Sequence, residues 1–361
     1  MRQNLRVRVG AVVLALATLA AVVFGWLNFL QRSRYDQVDD GVAWSDAPAG
    51  VEAWKIAPDS PASVAGIHPG DILLAINDVS VPKAAHVARR LYRAGLWTQL
   101  RYKLERNGEE FETRLITTPP HKPLSVENYL RVVGLLYLFI GLFIFARRWN
   151  APRAVHFYVF CLVSFVLYSF QYSGKLDTFD LEVYWASVAA RLLAPALLLH
   201  FALVFPERPE SSRKSLLKFA AVYAPALALL VVHMLAAINA LGFVPTTRSR
   251  VELDQLEVGF LGFYFLAAGL SFNLSYRRSR SGVLRQQLKW LTGGTLAGSL
   301  PFTVLYILPY IFDAGVQPWM QFSALSLVLI PLCFGYAVIR YRLMDVDIIF
   351  KRGLAYTAAT A

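Results

Sequence analysis

Apolar and polar positions divide the chain into three kinds of stretch. Residues 9–30 are continuously apolar. A polar stretch follows, and through 41–118 apolar residues come in short groups that often alternate with polar ones. Seven further apolar runs lie behind it, at 126–146, 154–172, 183–205, 219–241, 258–276, 290–312 and 318–339. Runs of this length approach or exceed the roughly 20 apolar residues that carry a helix across a bilayer. The pattern predicts an α-helical membrane protein of eight transmembrane helices, one anchor plus a seven-helix block, with an inserted α+β domain. Its segments are a basic tail (1–8), the anchor (9–30), a linker (31–40), the inserted domain (41–118), the helical block (126–340) and an exit segment (341–361).

Within the inserted domain the residue types have separate physical jobs. Ser60 can cap a short helix, with Pro61 at the first helical position where its missing N–H does no harm. Gly66 suits the left-handed end of that helix. Pro69-Gly70, followed by Asp71, suits a tight turn. Ile72, Leu73, Leu74 and Ile76 form a strand stopping at Asn77-Asp78. Pro82 opens a helix to about Ala94, and Asn107-Gly108 marks a hairpin. This order, through Ser60-Pro61-Ala62, Ala65-Gly66-Ile67, Pro69-Gly70-Asp71 and Ile76-Asn77, resembles a PDZ domain of the bacterial type. The resemblance implies that a peptide adds as an extra strand at a sheet edge. Asp40, Gly41 and Val42 would form the carboxylate loop, and the groove helix would start at Pro82. His86 and Arg90, one turn apart, would line the groove or stand as solvated charges. Asp39 and Asp40 would repel a terminal carboxylate, so an internal segment or an intramolecular strand fits equally well.

Composition and charge sharpen this picture. Of 361 residues 56% are hydrophobic, with mean hydropathy +0.45, and soluble proteins are rarely so apolar. The net charge of +12 does not point to nucleic acid, because 38–118 holds 9 basic and 11 acidic residues. The basic excess sits between the apolar runs. With the N-terminus inside, nineteen Lys and Arg fall on inner segments and three on the short outer loops. That asymmetry predicts cytosolic termini and an extracytoplasmic PDZ-like domain. A cleaved signal peptide competes for 9–30, but the run exceeds the usual signal core of roughly 7–15 residues. Cys161 and Cys333 lie in apolar runs and offer neither a disulfide framework nor a metal cluster.

Three stretches of the helical block carry a second resemblance. They are Leu199-His200-Phe201-Ala202-Leu203-Val204-Phe205-Pro206-Glu207, Arg285-Gln286-Gln287-Leu288-Lys289-Trp290, and Tyr336-Ala337-Val338-Ile339-Arg340-Tyr341-Arg342-Leu343-Met344-Asp345-Val346-Asp347. Together they resemble the membrane-sensor part of bacterial signalling proteins that feed a cytosolic histidine kinase or serine/threonine phosphatase. This implies the bacterial inner membrane and a cytosolic output domain or protein as partner. A homodimer is the expected assembly. No ATP-binding pattern or phosphoacceptor-type histidine is found, so the chain reads as the input half of a sensor. The alternative is a PDZ-bearing scaffold or protease-associated adaptor without output.

Three polar residues stand out inside apolar runs, where ionisable groups are functional candidates by default. Arg191 would snorkel outward or pair with Glu182 or Asp313. His200 and His233 could in principle hold haem, but no cofactor motif supports it, and helix-packing hydrogen bonds are expected. His-Glu-x-x-His is absent, and Ser173-Gly174 and Gly298-Ser299 lack a base partner. Gly293, Gly294, Gly298 and Pro301 could break the seventh span as in a transporter, with close helix packing as the simpler role. No catalytic residue, metal or cofactor is expected.

Overall fold

The computed structural model describes residues 2–34, 38–119, 126–148, 154–173, 175, 177–205, 212–237 and 247–341. The exit segment beyond Tyr341, with its part of the quoted motif, lies outside them, as do Pro206 and Glu207.

The inserted domain contains β1 (Val42–Ala47), β2 (Gly50–Ile56), α2 (Pro61–Val64), β3 (Ile72–Ile76), β4 (Val79–Ser80), α3 (Ala84–Ala94), β5 (Gln99–Arg106) and β6 (Glu109–Ile116). The strands form an antiparallel sheet in the order β1-β2-β3-β5-β6, with β4 paired to β3. Local chemistry explains its corners. Ser60 Oγ accepts the Ser63 N–H at 3.2 Å and caps α2. Asn107 (φ 55°) and Gly108 (φ 84°) are both left-handed, as a two-residue primed turn between right-twisted strands requires. Val87 and Leu91 of α3 bury against Val51, Leu73, Tyr102 and Leu104 of the sheet. Asp39 and Thr118 exchange backbone hydrogen bonds of 2.9 and 3.0 Å. The chain therefore enters and leaves this domain side by side.

The rest is helical: α1 (Arg2–Arg34), α4 (Val126–Arg148), α5 (Ala154–Ser169), α6 (Thr178–Val204), α7 (Ser212–Ala237), α8 (Thr247–Arg278), α9 (Gly282–Phe302), α10 (Leu308–Ile311) and α11 (Leu329–Tyr341). Among the described residues, seven helical stretches are long and apolar enough to cross a membrane. The fold class is thus an α-helical membrane protein with an α+β insert. Several boundaries differ from the sequence expectation. α1 runs through Arg34, into the expected linker. α5 has 16 residues and is not among these seven. It is the bundle's buried centre, where Phe157 stacks on Phe334 of α11 at 5.1 Å. α8 starts at Thr247, well before the apolar run at 258. α9 carries Pro301, which has no N–H to donate, and a π-helical turn (Thr303–Ile307) follows before α10.

Close approach rather than a transport-like break explains Gly294 and Gly298. A Cβ on Gly294 would sit 2.3 Å from the Cys333 Cβ of α11, and one on Gly298 would meet Ile330 at 2.9 Å. Small residues let helix backbones approach where apolar lipid gives no hydrophobic drive. α1 lies at the bundle's edge and is pinned by polar contacts near its end. Asn28 exchanges hydrogen bonds with the backbone of Gln171, and Gln31 donates to Asp177 at 3.0 Å.

The PDZ-type fold also rests on a charged fork. Arg106 of β5 donates from Nε and Nη to the two Asp71 oxygens at 2.6 and 2.7 Å, and to the Gly66 carbonyl at 2.8 Å. Burial alone would raise the Asp71 carboxyl, but the Arg106 bonds and the His68 N–H outweigh it and hold the group below its usual range. A depressed carboxylate contributes stability that is present above its unfolded pKa and is lost as pH falls through the folded one. We expect Asp71→Asn to cost about 1–3 kcal/mol near neutral pH, and its penalty relative to the parent to shrink below about pH 4. Hydrogen exchange of the β3 and β5 amides in the full chain, corrected for intrinsic rates, measures both.

Candidate functional site

The seam between β1 and α3 is the first candidate. β1 pairs in the sheet only with β2 and is an edge strand. Asp46 of β1 accepts the Ala84 N–H at 2.6 Å and so caps α3 from across the seam. That clip went unrecognised in the sequence, where α3 was expected to begin at Pro82. His86 lies on α3 with its Nδ1 buried and unbonded. Arg90 is tied to the Ser80 carbonyl at 3.3 Å, which gives it a partner on β4.

The expected carboxylate loop is occupied by the chain itself. The Gly41 N–H donates to Asp39 Oδ1 at 2.9 Å, and the Val42 N–H donates to Asp40 Oδ1 at 3.0 Å. Asp40 is buried, and its second oxygen accepts Trp44 Nε1 at 2.9 Å and the Tyr102 hydroxyl at 2.7 Å. Burial raises this carboxyl above its ordinary range, with the three donors pulling the other way. The Tyr102 phenol is pushed well up by burial and by the adjacent Asp40. In the expected carboxylate loop of Asp40, Gly41 and Val42, both amides thus hold side-chain carboxylates of the chain itself, and Asp40 faces the core. Gly66 (φ 77°) and Gly70 (φ 95°) take the left-handed conformations expected of the turn, Pro69 precedes the second, and Asp71 is the acceptor of the Arg106 fork.

The second candidate lies in the bundle. Arg191 of α6 pairs with Asp254 of α8 and reaches Glu257 Oε2 at 3.4 Å. His233 of α7 meets Glu257 Oε1 through Nδ1 at 2.5 Å and the Tyr184 hydroxyl through Nε2 at 2.6 Å. Tyr310 of α10 donates to Asp254 at 2.7 Å. Glu257 is 1% exposed. Neither Glu182 nor Asp313 serves Arg191, contrary to expectation; Glu182 is exposed, and Asp313 approaches Lys55 of β2 at 3.7 Å. The acids were missed because the span was cut at 258 by hydropathy. The signal was present in Asp254 and Glu257, spaced i, i+3 and so on one face once the helix runs back past them. His200 sits elsewhere, bonding Tyr223 at 3.0 Å with its ring 4.8 Å from that of His156. Among the described residues His200 and His233 bond to different partners.

A PDZ-type sheet and helix hung at both ends on an apolar helical bundle defines the input region of a membrane sensor. The family model described as the N-terminal 7TM region of histidine kinase matches residues 129–347, and the chain belongs to that family. A PDZ domain model matches residues 55–104. Among solved structures, the chain is similar to an HtrA-type protease AlgW with decapeptide, at 18% identity over 24% of this chain and 30% of that one, with a TM-score of 0.23. It is also similar to a serine endoprotease from Yersinia pestis, at 24% identity over 28% of this chain and 35% of that one, with a TM-score of 0.23. The chain thus spans about a third of the solved structures it matches. No curated protein matches it.

Removing one partner of a buried ion pair strands the other charge. Arg191→Leu is expected to cost about 3–5 kcal/mol, and adding Glu257→Gln to return most of that loss. Unfolding of the full chain and the two variants in nanodiscs measures the cycle.

Proposed function

We propose that the chain is the input region of a bacterial inner-membrane sensor whose PDZ-type domain captures an internal, extended segment of a peptide or protein. The domain lies on the extracytoplasmic side, and both termini are cytosolic, as the distribution of basic residues favours. The segment adds at the outer edge of β1, beside α3, where backbone hydrogen bonds give affinity and side-chain pockets give selectivity. The observation that carries this reading is the occupied loop. With Gly41 and Val42 already bonded to Asp39 and Asp40, a free peptide C-terminus has no amide pair to enter.

Three connections support a relay into the bundle. The Asp39–Thr118 bridge holds the paths to α1 and α4 together, so a tilt of the domain pulls on both. β1 also comes alongside α8. α4 touches α11 where Ile140 faces Gly335, and α11 leads toward the cytosolic output, a histidine kinase or another signalling protein. Such a relay requires the ligand to favour one of two states of the bundle by differential affinity.

Short extended peptides selected on the full chain in nanodiscs test the reading. They are expected to bind equally with free and amidated C-termini, whereas a strong preference for the free carboxylate sinks the internal-segment mode. Disulfide formation between cysteines placed at Ile140 and Gly335, with Cys161 and Cys333 replaced by alanine, is expected to change on peptide addition. Identical yields with and without peptide would exclude the relay through α4 and α11.

A further inference from the structure

The Tyr184–His233–Glu257–Arg191–Asp254–Tyr310 network has a charge count that depends on one ring. Arg191 supplies one positive charge, and Asp254 and Glu257 supply two negative ones. The tyrosines are neutral near pH 7. With His233 neutral, the network carries one net negative charge around a carboxylate removed from water. With His233 protonated, it is neutral. Histidine is the side chain whose unperturbed pKa places this change between about pH 5 and 8.

Both states of the ring can be hydrogen-bonded. In the neutral state the Tyr184 hydroxyl donates to Nε2, and Nδ1–H donates to Glu257. When a proton from water reaches Nε2, that nitrogen becomes the donor and Tyr184 the acceptor. The Tyr184 hydroxyl hydrogen must then turn elsewhere, and Glu257 faces two cations, His233 and Arg191. The groups facing His233 are Tyr184 from α6 and Glu257 from α8, with Arg191, Asp254 and Tyr310 behind them. The network reaches the surface of the bundle, where the Asp254 side chain is 39% exposed and that of Arg191 is 26% exposed. The helix that carries His233 is loosely held. α7 packs through Val222 and Ala226 onto α6 and Tyr264, while Leu227, Val231, Val232 and Met234 face outward.

We propose that this network is a proton-binding site, and that the helical block itself reads proton activity on the PDZ side as an input separate from peptide capture. Protonation of His233 strengthens the tie between α7 and α8, and deprotonation loosens it. The inference uses the proposed orientation only to name the side from which protons arrive. Nanodiscs expose both faces, so its test does not depend on that orientation or on peptide binding.

The experiment is ring nitrogen NMR of the full chain in nanodiscs, with isotope-labelled histidine, across about pH 5 to 8. The chain has 6 histidines, and the His233 signal is the one lost in His233→Gln. If that variant does not fold, Tyr184→Phe, which removes only a hydroxyl, identifies the signal by displacing it. The His233 ring-nitrogen signals are expected to change across this range in the parent and to respond differently in Glu257→Gln, which lacks the carboxylate that Nδ1 meets. Spin labels at the exposed Met234 and Leu256 then report the spacing of α7 and α8. The spacing is expected to follow the His233 titration in the parent and to be independent of pH in His233→Gln. A His233 signal that stays flat across the range overturns the proposal. So does a titrating His233 with an unchanged helix spacing.

Discussion

Taking a carboxylate out of water costs several kcal/mol unless donors or cations replace the lost solvent. Both halves of this chain are built around that constraint. In the PDZ-type domain Asp40 is buried and accepts three donors, from Val42, Trp44 and Tyr102. Two of those donors come from β1 and the third from β5 across the sheet. The carboxylate therefore fixes where the first strand lies over the core. In the bundle Glu257 has the same role among helices. Its partners sit on α6 and α7, and the neighbouring Asp254 extends the network to α10. Each acid ties groups from different elements together, and changing either removes one partner from each of them.

The same constraint limits what the domain can recognise. A loop that offers amides to a peptide carboxylate must leave them free, and here Asp39 and Asp40 hold them. On the proposed reading, recognition is left to backbone pairing on β1, with α3 clipped to that strand by Asp46. Strand addition of this kind is sensitive to β1's position. That position is shared with α8 alongside it and with the Asp39–Thr118 bridge, where both connections to the membrane helices meet.

Most of the insert was legible because its chemistry is local. Ser60, Gly66, Asn107 and Gly108 each enforce a conformation within a few residues, and the structure places caps and turns there. The membrane block was legible as a set of apolar runs, since hydropathy reports burial or lipid contact directly. Hydropathy does not report where a helix ends, and this is why α8 was cut short and its acids were lost. Nor does it separate lipid contact from protein core: α5 is apolar because it is surrounded by other helices, and its 16 residues match that role. The partners of Arg191 and the occupants of the Gly41 and Val42 amides depend on contacts between elements, or on backbone paths, that spacing alone does not encode.

One helix connects the two proposed inputs. α8 lies beside β1 at one point and carries Asp254 and Glu257 a short way along. A segment added at β1 and a proton added at His233 therefore act on the same rigid element from different sides. Binding equilibria that share such an element are reciprocal. Whatever factor protonation applies to segment affinity, segment binding must apply to the proton affinity of His233. If α8 has two positions, the two ligands need not touch to influence one another. The sign of their coupling then depends only on whether strand addition moves α8 toward α7 or away from it.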